Sequence, residues 1–198
     1  MRQPRTRRGR RPGTPETRDA ILGAARASFA AAGFAGTTIR GVAAAAGVDP
    51  ALVHHYFGTK DDLFMASLEL PVDPRELLRP VVEAGPDGAG ERLLLTFLGV
   101  WDQPELQLPL LAVARSVISA EGDRLVRDGF IPVVVGPVLS RLVRDRPEER
   151  IPLVTSQVIG LIVARYVLRI EPLASTPADV VAARVGPTVQ RYLTGDLP

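Results

Sequence analysis

The sequence predicts an all-α fold, with an N-terminal domain of three helices that contains a helix-turn-helix and a larger C-terminal helical domain. Two observations lead to this prediction. Apolar residues recur at spacings of three and four, which is the period of one face of a helix. Prolines that follow Asp or Thr mark the start of successive segments, because proline suits the first turn and the preceding side chain can cap it. We expect residues 15–60 to form the N-terminal domain and residues 61–198 the C-terminal domain.

The first fourteen residues contain six arginines together with proline and glycine, and nothing apolar follows Met1. Such a composition offers no core, so we expect residues 1–14 to be a disordered basic arm. The arm acts either as a solubilising tail or as a contact to phosphates or a minor groove, and the sequence leaves both readings open.

The first two helices are recognisable by their caps and apolar stripes. The first is expected to begin at Thr14-Pro15, and the second follows Thr38, whose side chain can cap it. The second helix ends at Gly47, because glycine readily adopts the left-handed conformation of a tight exit. The predicted stripes are Ile21, Leu22, Ala25, Phe29 and Ala32 in the first helix, and Ile39, Val42, Ala43 and Ala46 in the second.

The third helix begins at Asp49-Pro50, where Asp49 supplies a side-chain acceptor and Pro50 a preset φ. Its core side chains are expected to be Val53, Tyr56 and Phe57. The opposite face lies near a helix N-terminus, whose amides and dipole favour phosphate. Such a face suits the major groove of DNA, and it consists of Pro50, Ala51, Leu52, His54 and His55.

Charge is divided unequally along the chain. Residues 1–60 contain ten basic and three acidic residues, a balance of +7, whereas the remainder contains fourteen basic and nineteen acidic residues, a balance of −5. A basic N-terminal part is what counterion release from phosphates requires, and an acidic remainder would be kept away from the duplex. The distribution therefore favours a DNA-binding unit over a small helical hairpin inside an ordinary bundle.

Residues 18–64 resemble the DNA-binding domain of the TetR family of transcriptional repressors. The landmarks of that family stand in order: Gly33-Phe34, Thr37-Thr38, Ala43, Gly47-Val48, Tyr56-Phe57 and Lys60. The resemblance implies an all-α homodimer that binds a pseudo-palindromic operator in double-stranded DNA. It also implies a C-terminal domain that dimerises and usually binds a small ligand, which relieves repression.

Carried over residue by residue, the resemblance implies that Thr38 and Lys60 contact phosphates and that Arg40 reaches a base or the backbone. Ala51, Leu52, His54 and His55 would then meet base edges and the sugar-phosphate chain. The family commonly has tyrosine where this chain has His54, so a phenol contact becomes one from an imidazole, which can donate in either tautomer. Apolar Ala51 and Leu52 favour contacts with thymine methyl groups and readout of DNA shape.

The C-terminal part is expected to contain further helices, the first of which runs from a capping box at Thr59 and Asp62 to about Leu70 and connects the domains. The others are expected at Asp73-Pro74, from Asp87 to Trp101, from Pro104 to about Ser119, over 123–143 and 148–170, and from Thr176-Pro177. Pro132 and Pro137 should kink or restart their helix.

Two of these helices have wide apolar faces that a four-helix bundle across a two-fold axis would bury. Gly160 and Ala164 lie four residues apart, which would allow a partner helix to approach closely, so we expect the homodimer interface there. The alternative is packing within one chain. The expected interface residues are Val138, Leu142, Val158, Gly160, Leu161 and Ala164.

A small apolar or amphipathic ligand is expected in a largely apolar pocket of the C-terminal domain. The candidate lining residues are Phe97, Trp101, Leu111, Arg115 and Tyr166. Alternatively, Trp101 is simply a core residue and Arg115 pairs with a surface carboxylate.

Enzymatic chemistry is not expected, and no cofactor or metal is implied. The chain has no cysteine, and its two histidines are adjacent, so their side chains point about 100° apart on a helix and cannot hold one ion together. The glycines of residues 85–90 lack the spacing and the lysine of a nucleotide-binding loop. The competing function is a helical adaptor that binds a protein through its basic N-terminal domain.

The sequence predicts a cytoplasmic protein that does not bind membranes. No uninterrupted apolar run approaches the roughly 20 residues of a spanning helix, and no apolar signal core follows the N-terminal arginines.

Overall fold

The computed structural model describes residues 15–117 and 126–197, and the predicted basic arm at residues 1–14 lies outside them. The described residues form helices and no strand, which confirms the all-α prediction. In chain order the α-helices are α1 (Pro15–Gly36), α2 (Ile39–Ala46), α3 (Pro50–Phe57), α4 (Lys60–Ser67), α5 (Pro74–Glu83), α6 (Ala89–Trp101), α7 (Pro104–Val117), α8 (Gly136–Leu139), α9 (Pro147–Ile162) and α10 (Ala178–Thr194). A first π-helical segment spans Val126–Val135 and a second spans Val163–Val167.

An N-terminal core forms among α1, α2, α3 and α4. Ile21, Ala25 and Phe29 are buried as the helical spacing predicts, but Ala32 is exposed. Gly33, four residues after Phe29, takes the buried position, and α1 bends there because the Gly33 φ of 69° and ψ of 178° are non-helical. The buried Thr37 hydroxyl then donates to the Gly33 carbonyl at 2.8 Å and ties the bend to the start of α2.

Two helix boundaries differ from the sequence prediction. Helix α4 begins with the expected capping box but ends at Ser67 rather than near Leu70, because Glu69 takes a left-handed backbone with φ 49°. Helix α6 begins at Ala89, since the left-handed Gly88 stands at its N-cap in place of Asp87. The spacing of apolar residues in a sequence does not show where a left-handed residue will begin or end a helix.

The C-terminal core is centred on the crossing of α6 and α10. A Cβ placed on Gly90 would lie 2.4 Å from the Gly186 carbonyl oxygen, so only glycine allows these helices to cross so closely. The Gln190 side chain accepts a hydrogen bond from the Gly90 amide at 2.9 Å and fixes the same crossing.

The first π-helical segment lies between the two cores. Its Val134 is 1% exposed and belongs to the N-terminal core, whereas Ile131 and Val135 pack against the C-terminal core. Pro132 lies inside the segment, and α-helical geometry resumes at Gly136-Pro137, as the two prolines predict.

Residues 147–167 are long and apolar enough to cross a membrane by length and composition. In this fold they pack into the C-terminal core through Ile151, Val154 and Val158, and a core helix passes the same test.

Candidate nucleic-acid interface

Helix α2 is held at both ends by local hydrogen bonds. The Thr38 hydroxyl accepts from the Gly41 amide at 3.0 Å. At the other end Gly47 is left-handed with φ 67°, and the amides of Gly47 and Val48 donate to the Ala44 and Ala43 carbonyls. This double C-terminal bond turns the chain sharply toward α3.

Helix α3 begins at Pro50, and the Asp49 carboxylate accepts from the Ala51 amide at 2.8 Å. Val53 is fully buried and Phe57 nearly so, while Tyr56 is half-buried. The predicted outer face lies at the surface: Ala51, His54 and His55 are exposed, and Pro50 and Leu52 are half-buried. This face of α3 is therefore accessible to a partner.

His54 has a defined hydrogen bond on one of its ring nitrogens. Its Nδ1 lies 2.8 Å from the carbonyl oxygen of Gly58. Because a carbonyl only accepts, Nδ1 must donate, and the neutral ring then has a lone pair on Nε2. Nε2 is therefore the ring nitrogen of His54 that is left for a contact outside the protein.

Lys60 is positioned by an aromatic cluster. Its ammonium lies 4.3 Å from the ring centroid of Phe34, which packs edge-to-face on Phe64 at 5.4 Å. The cation is thus held beside the end of α3 at little cost in side-chain freedom. Arg40 and Thr38 are exposed on α2.

The negative charge of Asp62, two residues after Lys60, is balanced in part by Arg75. Asp62 accepts the Thr59 hydroxyl at 2.6 Å and pairs with Arg75 at 2.8 Å. These hydrogen bonds, that from Thr59 first and that from Arg75 second, lower the pKa of the Asp62 carboxyl. Arg75 also pairs with Asp73, the N-cap of α5, so this cluster joins α4 to α5 and leaves less negative charge to repel a phosphate.

Comparison with known families decides the class of protein. The family described as "Bacterial regulatory proteins, tetR family" matches residues 21–66, and "Tetracyclin repressor-like, C-terminal domain" matches residues 87–193. The chain belongs to the TetR family. It is therefore a DNA-binding transcriptional regulator, in a family of non-enzymatic, soluble, dimerising proteins that bind small molecules.

Solved structures include relatives of this TetR-family regulator. A TetR-family regulator from Streptomyces coelicolor A3 is 38% identical, over 93% of this chain and 98% of that one, with a TM-score of 0.49. The multidrug binding protein EbrR, solved with imidazole, is 24% identical over 99% and 98% of the two chains, with a TM-score of 0.47. A TetR-like regulator from Rhodococcus sp. RHA1 is 22% identical over 91% and 97%, with a TM-score of 0.41. A search of curated proteins finds no match.

The single pocket expected in the C-terminal domain of this TetR-family regulator is divided in two. Phe97 and Trp101 line an apolar cavity of about 150 Å³, whereas Leu111 and Tyr166 line a polar cavity of about 300 Å³. The rings of Trp101 and Tyr166 stack at 5.0 Å and 29°, and their stack stands between the two cavities. Arg115 is exposed and lines neither.

Phe130 was missed as a lining residue of the apolar cavity. It lies in the first π-helical segment and also packs against the N-terminal core. Its segment reads in the sequence as one interrupted apolar stripe, and nothing in that pattern indicates which residues face a cavity. In the sequence, only the adjacent glycine, Gly129, is a sign of close packing. In the structure it lies against the Phe64 ring.

Three residues expected at the dimer interface lie instead inside the protomer. Leu142, Val158 and Leu161 are 2%, 8% and 9% exposed and belong to the C-terminal core. They are therefore removed from the interface, because reaching a partner would take them out of that core. Val138 and Ala164 are half-buried, and Gly160 is exposed with nothing within 4 Å of where a Cβ would stand.

Proposed function

We propose that this regulator is a repressor that binds a pseudo-palindromic operator as a homodimer and releases it when a small apolar ligand enters the C-terminal domain. The observation that carries the proposal is Phe130, which lines the apolar cavity and packs on the N-terminal core at the same time. A DNA-binding regulator acts where the DNA is, so we place it in the cytoplasm, free of membranes.

DNA contacts are proposed from the exposed groups of α2, α3 and the start of α4. Thr38 and Lys60 hold phosphates, Arg40 reaches a base or the backbone, and the outer face of α3 enters the major groove. Of that face, Ala51 and Leu52 meet thymine methyl groups, and His54 and His55 meet base edges or the backbone. Pro50 sets the N-terminus of α3, whose amides face phosphate.

The proposed ligand is uncharged and apolar. The lining of the cavity is almost wholly aliphatic and aromatic, and includes Phe97, Trp101, Leu110, Phe130 and Ile162. Burying a charge there without a partner would cost several kcal/mol or more, whereas apolar surface gains about 25 cal/mol per Å² on burial.

Transmission to the DNA-binding domain follows from the packing of the first π-helical segment. Beside Phe130, a Cβ on Gly129 would lie 2.5 Å from the tip of the Phe64 ring, so the backbone there rests directly on that ring. Phe64 packs edge-to-face on Phe29 of α1 at 5.0 Å. A ligand that displaces Phe130 therefore moves a segment seated on the core from which α2 and α3 project. Ligand and operator then oppose each other with equal and reciprocal coupling.

The dimer interface is proposed on the outward face of α9 and the second π-helical segment. Small or exposed residues recur there every four positions, at Ser156, Gly160, Ala164 and Leu168. Leu168 is 64% exposed, which is unusual for a large apolar side chain and fits a surface that a second copy covers. We also propose that the DNA-binding domain extends through α4, because Leu63, Phe64 and Met65 belong to the N-terminal core.

Fluorescence anisotropy on DNA tests the proposal. Purified protein is titrated onto duplexes from the region upstream of its own gene, over a salt series, with random duplex as competitor. Saturable binding that resists the competitor, has a multi-ion salt slope and weakens in Arg40→Ala supports an operator. Arg115→Ala, an exposed arginine of the C-terminal domain, is the matched control and should bind as wild type does.

Two outcomes point elsewhere. Failure on every duplex, including those selected from random-sequence DNA, would favour the adaptor that binds protein through its basic domain. If DNA binds, a ligand screen follows, and Phe130→Ala should keep operator affinity while losing ligand-induced release. Equal ligand affinity with and without operator would refute ligand relief.

A further inference from the structure

We propose that the polar cavity is a second, separate ligand site that takes a small zwitterion carrying one carboxylate and one ammonium group, the chemistry of a free amino acid. The site does not depend on the apolar cavity or on DNA binding. Its volume of about 300 Å³ is at the lower end of the range for small-molecule sites.

The cavity lies where α6 ends, α7 begins and the second π-helical segment leads into the loop at 168–177. Its lining includes two carboxylates and two guanidinium groups, together with the apolar Leu111 and Ala174. Such a wall is unsuited to the apolar ligand proposed for the neighbouring cavity. It selects for a ligand whose charges match its own.

One carboxylate and one guanidinium are already engaged within the protein, and the Nε of that guanidinium, on Arg165, is buried without a partner. Asp102 accepts the Tyr166 hydroxyl at 2.7 Å and pairs with Arg165 at 3.5 Å. Arg165 is 7% exposed and donates to the carbonyls of Leu173 and Thr176, both at 2.6 Å, which fastens the loop. Burial first, and the bond to Asp102 second, raise the pKa of the Tyr166 phenol, so it remains a donor to Asp102. These groups build the wall and are not free for a ligand.

The other two charges have no countercharge. Arg169 is exposed and makes no hydrogen bond or ion pair with any residue in the described ranges. Glu171 accepts only the Ser175 hydroxyl, at 2.6 Å, and no cation of those ranges pairs with it. Although they are two residues apart, Arg169 and Glu171 do not pair with each other. Arg169 has a left-handed backbone with φ 53°, a conformation that costs a side-chain-bearing residue about 1–3 kcal/mol and recurs at ligand sites.

A zwitterion satisfies both charges at once. Its carboxylate pairs with Arg169 and its ammonium with Glu171, while the carbon between them faces Leu111 and the Tyr166 ring. A simple anion would leave Glu171 unmatched, and a simple amine would leave Arg169 unmatched. The charge pattern therefore favours the amino-acid class over either.

Isothermal titration of the full-length protein with free L-amino acids, one at a time, tests the proposal. Trp101 is the sole tryptophan and stacks on a wall residue of the cavity, so its fluorescence provides a second readout for ligands other than tryptophan and tyrosine. We expect saturable binding of at least one amino acid. Arg169→Gln and Glu171→Gln should each weaken it by about tenfold or more, the effect of losing about 1.4 kcal/mol of interaction.

Matched controls are available on the protein and on the ligand. Arg79 and Glu76 form an exposed pair on α5, away from the cavity, and Arg79→Gln and Glu76→Gln should bind as wild type does. The carboxylic acid and the amine that each lack one charge of the amino acid should also bind about tenfold more weakly. The proposal is overturned if no amino acid binds, if Arg169→Gln or Glu171→Gln binds as wild type does, or if a singly charged analogue binds equally well.

Discussion

The His54 side chain should contribute to operator affinity, because the fold holds its ring in one orientation at the surface of α3. Nδ1 lies 2.8 Å from the Gly58 carbonyl oxygen, which can only accept, so Nδ1 is the donor of that bond. Nε2 is then the ring nitrogen left to contact a phosphate. The ring is already ordered in the folded protein, so this contact costs little further side-chain entropy.

The magnitude follows from the kind of bond formed. A hydrogen bond to a charged group contributes about 1.5–3 kcal/mol, or roughly 10- to 150-fold in affinity for each half-site. His54→Phe should lose this contribution, because a phenyl ring neither donates nor accepts a hydrogen bond. His54→Tyr should keep much of the affinity, because a phenol can donate to a phosphate.

Anisotropy titrations at fixed pH and ionic strength measure the effect. Arg115→Ala, the exposed control in the C-terminal domain, should bind as wild type does. Operator affinity of His54→Phe equal to that of wild type would refute the assignment.

Three further outcomes are expected in unfolding experiments. Arg150→Met should cost about 1–3 kcal/mol in urea unfolding for each of the two carbonyls at the end of α10 that loses its donor, because Arg150 is 1% exposed. Arg144→Met, in an exposed pair, should cost at most about 1 kcal/mol. Gly90→Ala should destabilise the protein by about 1–3 kcal/mol, because its Cβ would meet the backbone of α10. Gly99→Ala, on the same helix, has open space and should stabilise the protein slightly. Equal effects of the two substitutions would contradict the close crossing of α6 and α10. The pKa of Asp62 is lower in the folded than in the unfolded state, so its stabilising effect is present above the ordinary aspartate range and is lost below about pH 4. In Asp62→Asn, the free energy of unfolding measured by circular dichroism should therefore fall less steeply as the pH is lowered.

The DNA-binding half could be predicted closely because its signals are local. Thr38, Gly47 and Asp49 each act on backbone groups within four residues, so their hydrogen bonds are readable from the order of residues alone. The resemblance placed the end of the first apolar helix at Gly33-Phe34, and α1 bends at Gly33. The predicted stripe failed at one residue, Ala32, which is exposed.

The ligand-binding half was predicted only in outline, because an apolar stripe specifies that a face is buried and not what buries it. Leu142, Val158 and Leu161 fit a dimer interface and a protomer core equally well in sequence, and the packing of α6, α9 and α10 assigned them to the core. The separation of Trp101 and Tyr166 into the walls of two cavities likewise depends on elements distant in the chain.

The sequence by itself determined the class of this protein: an all-α chain with a helix-turn-helix whose caps, turn and outer face are encoded in short-range patterns of the TetR family. The tertiary structure alone decided which residues surround the cavities, which charges in their walls remain unpaired, and which segment joins the apolar cavity to the DNA-binding core. The physical reason is how far apart along the chain the interacting residues lie. Capping and turn formation are settled between near neighbours. A cavity and its charge balance arise where distant residues meet, such as Asp102 and Tyr166, which are 64 positions apart.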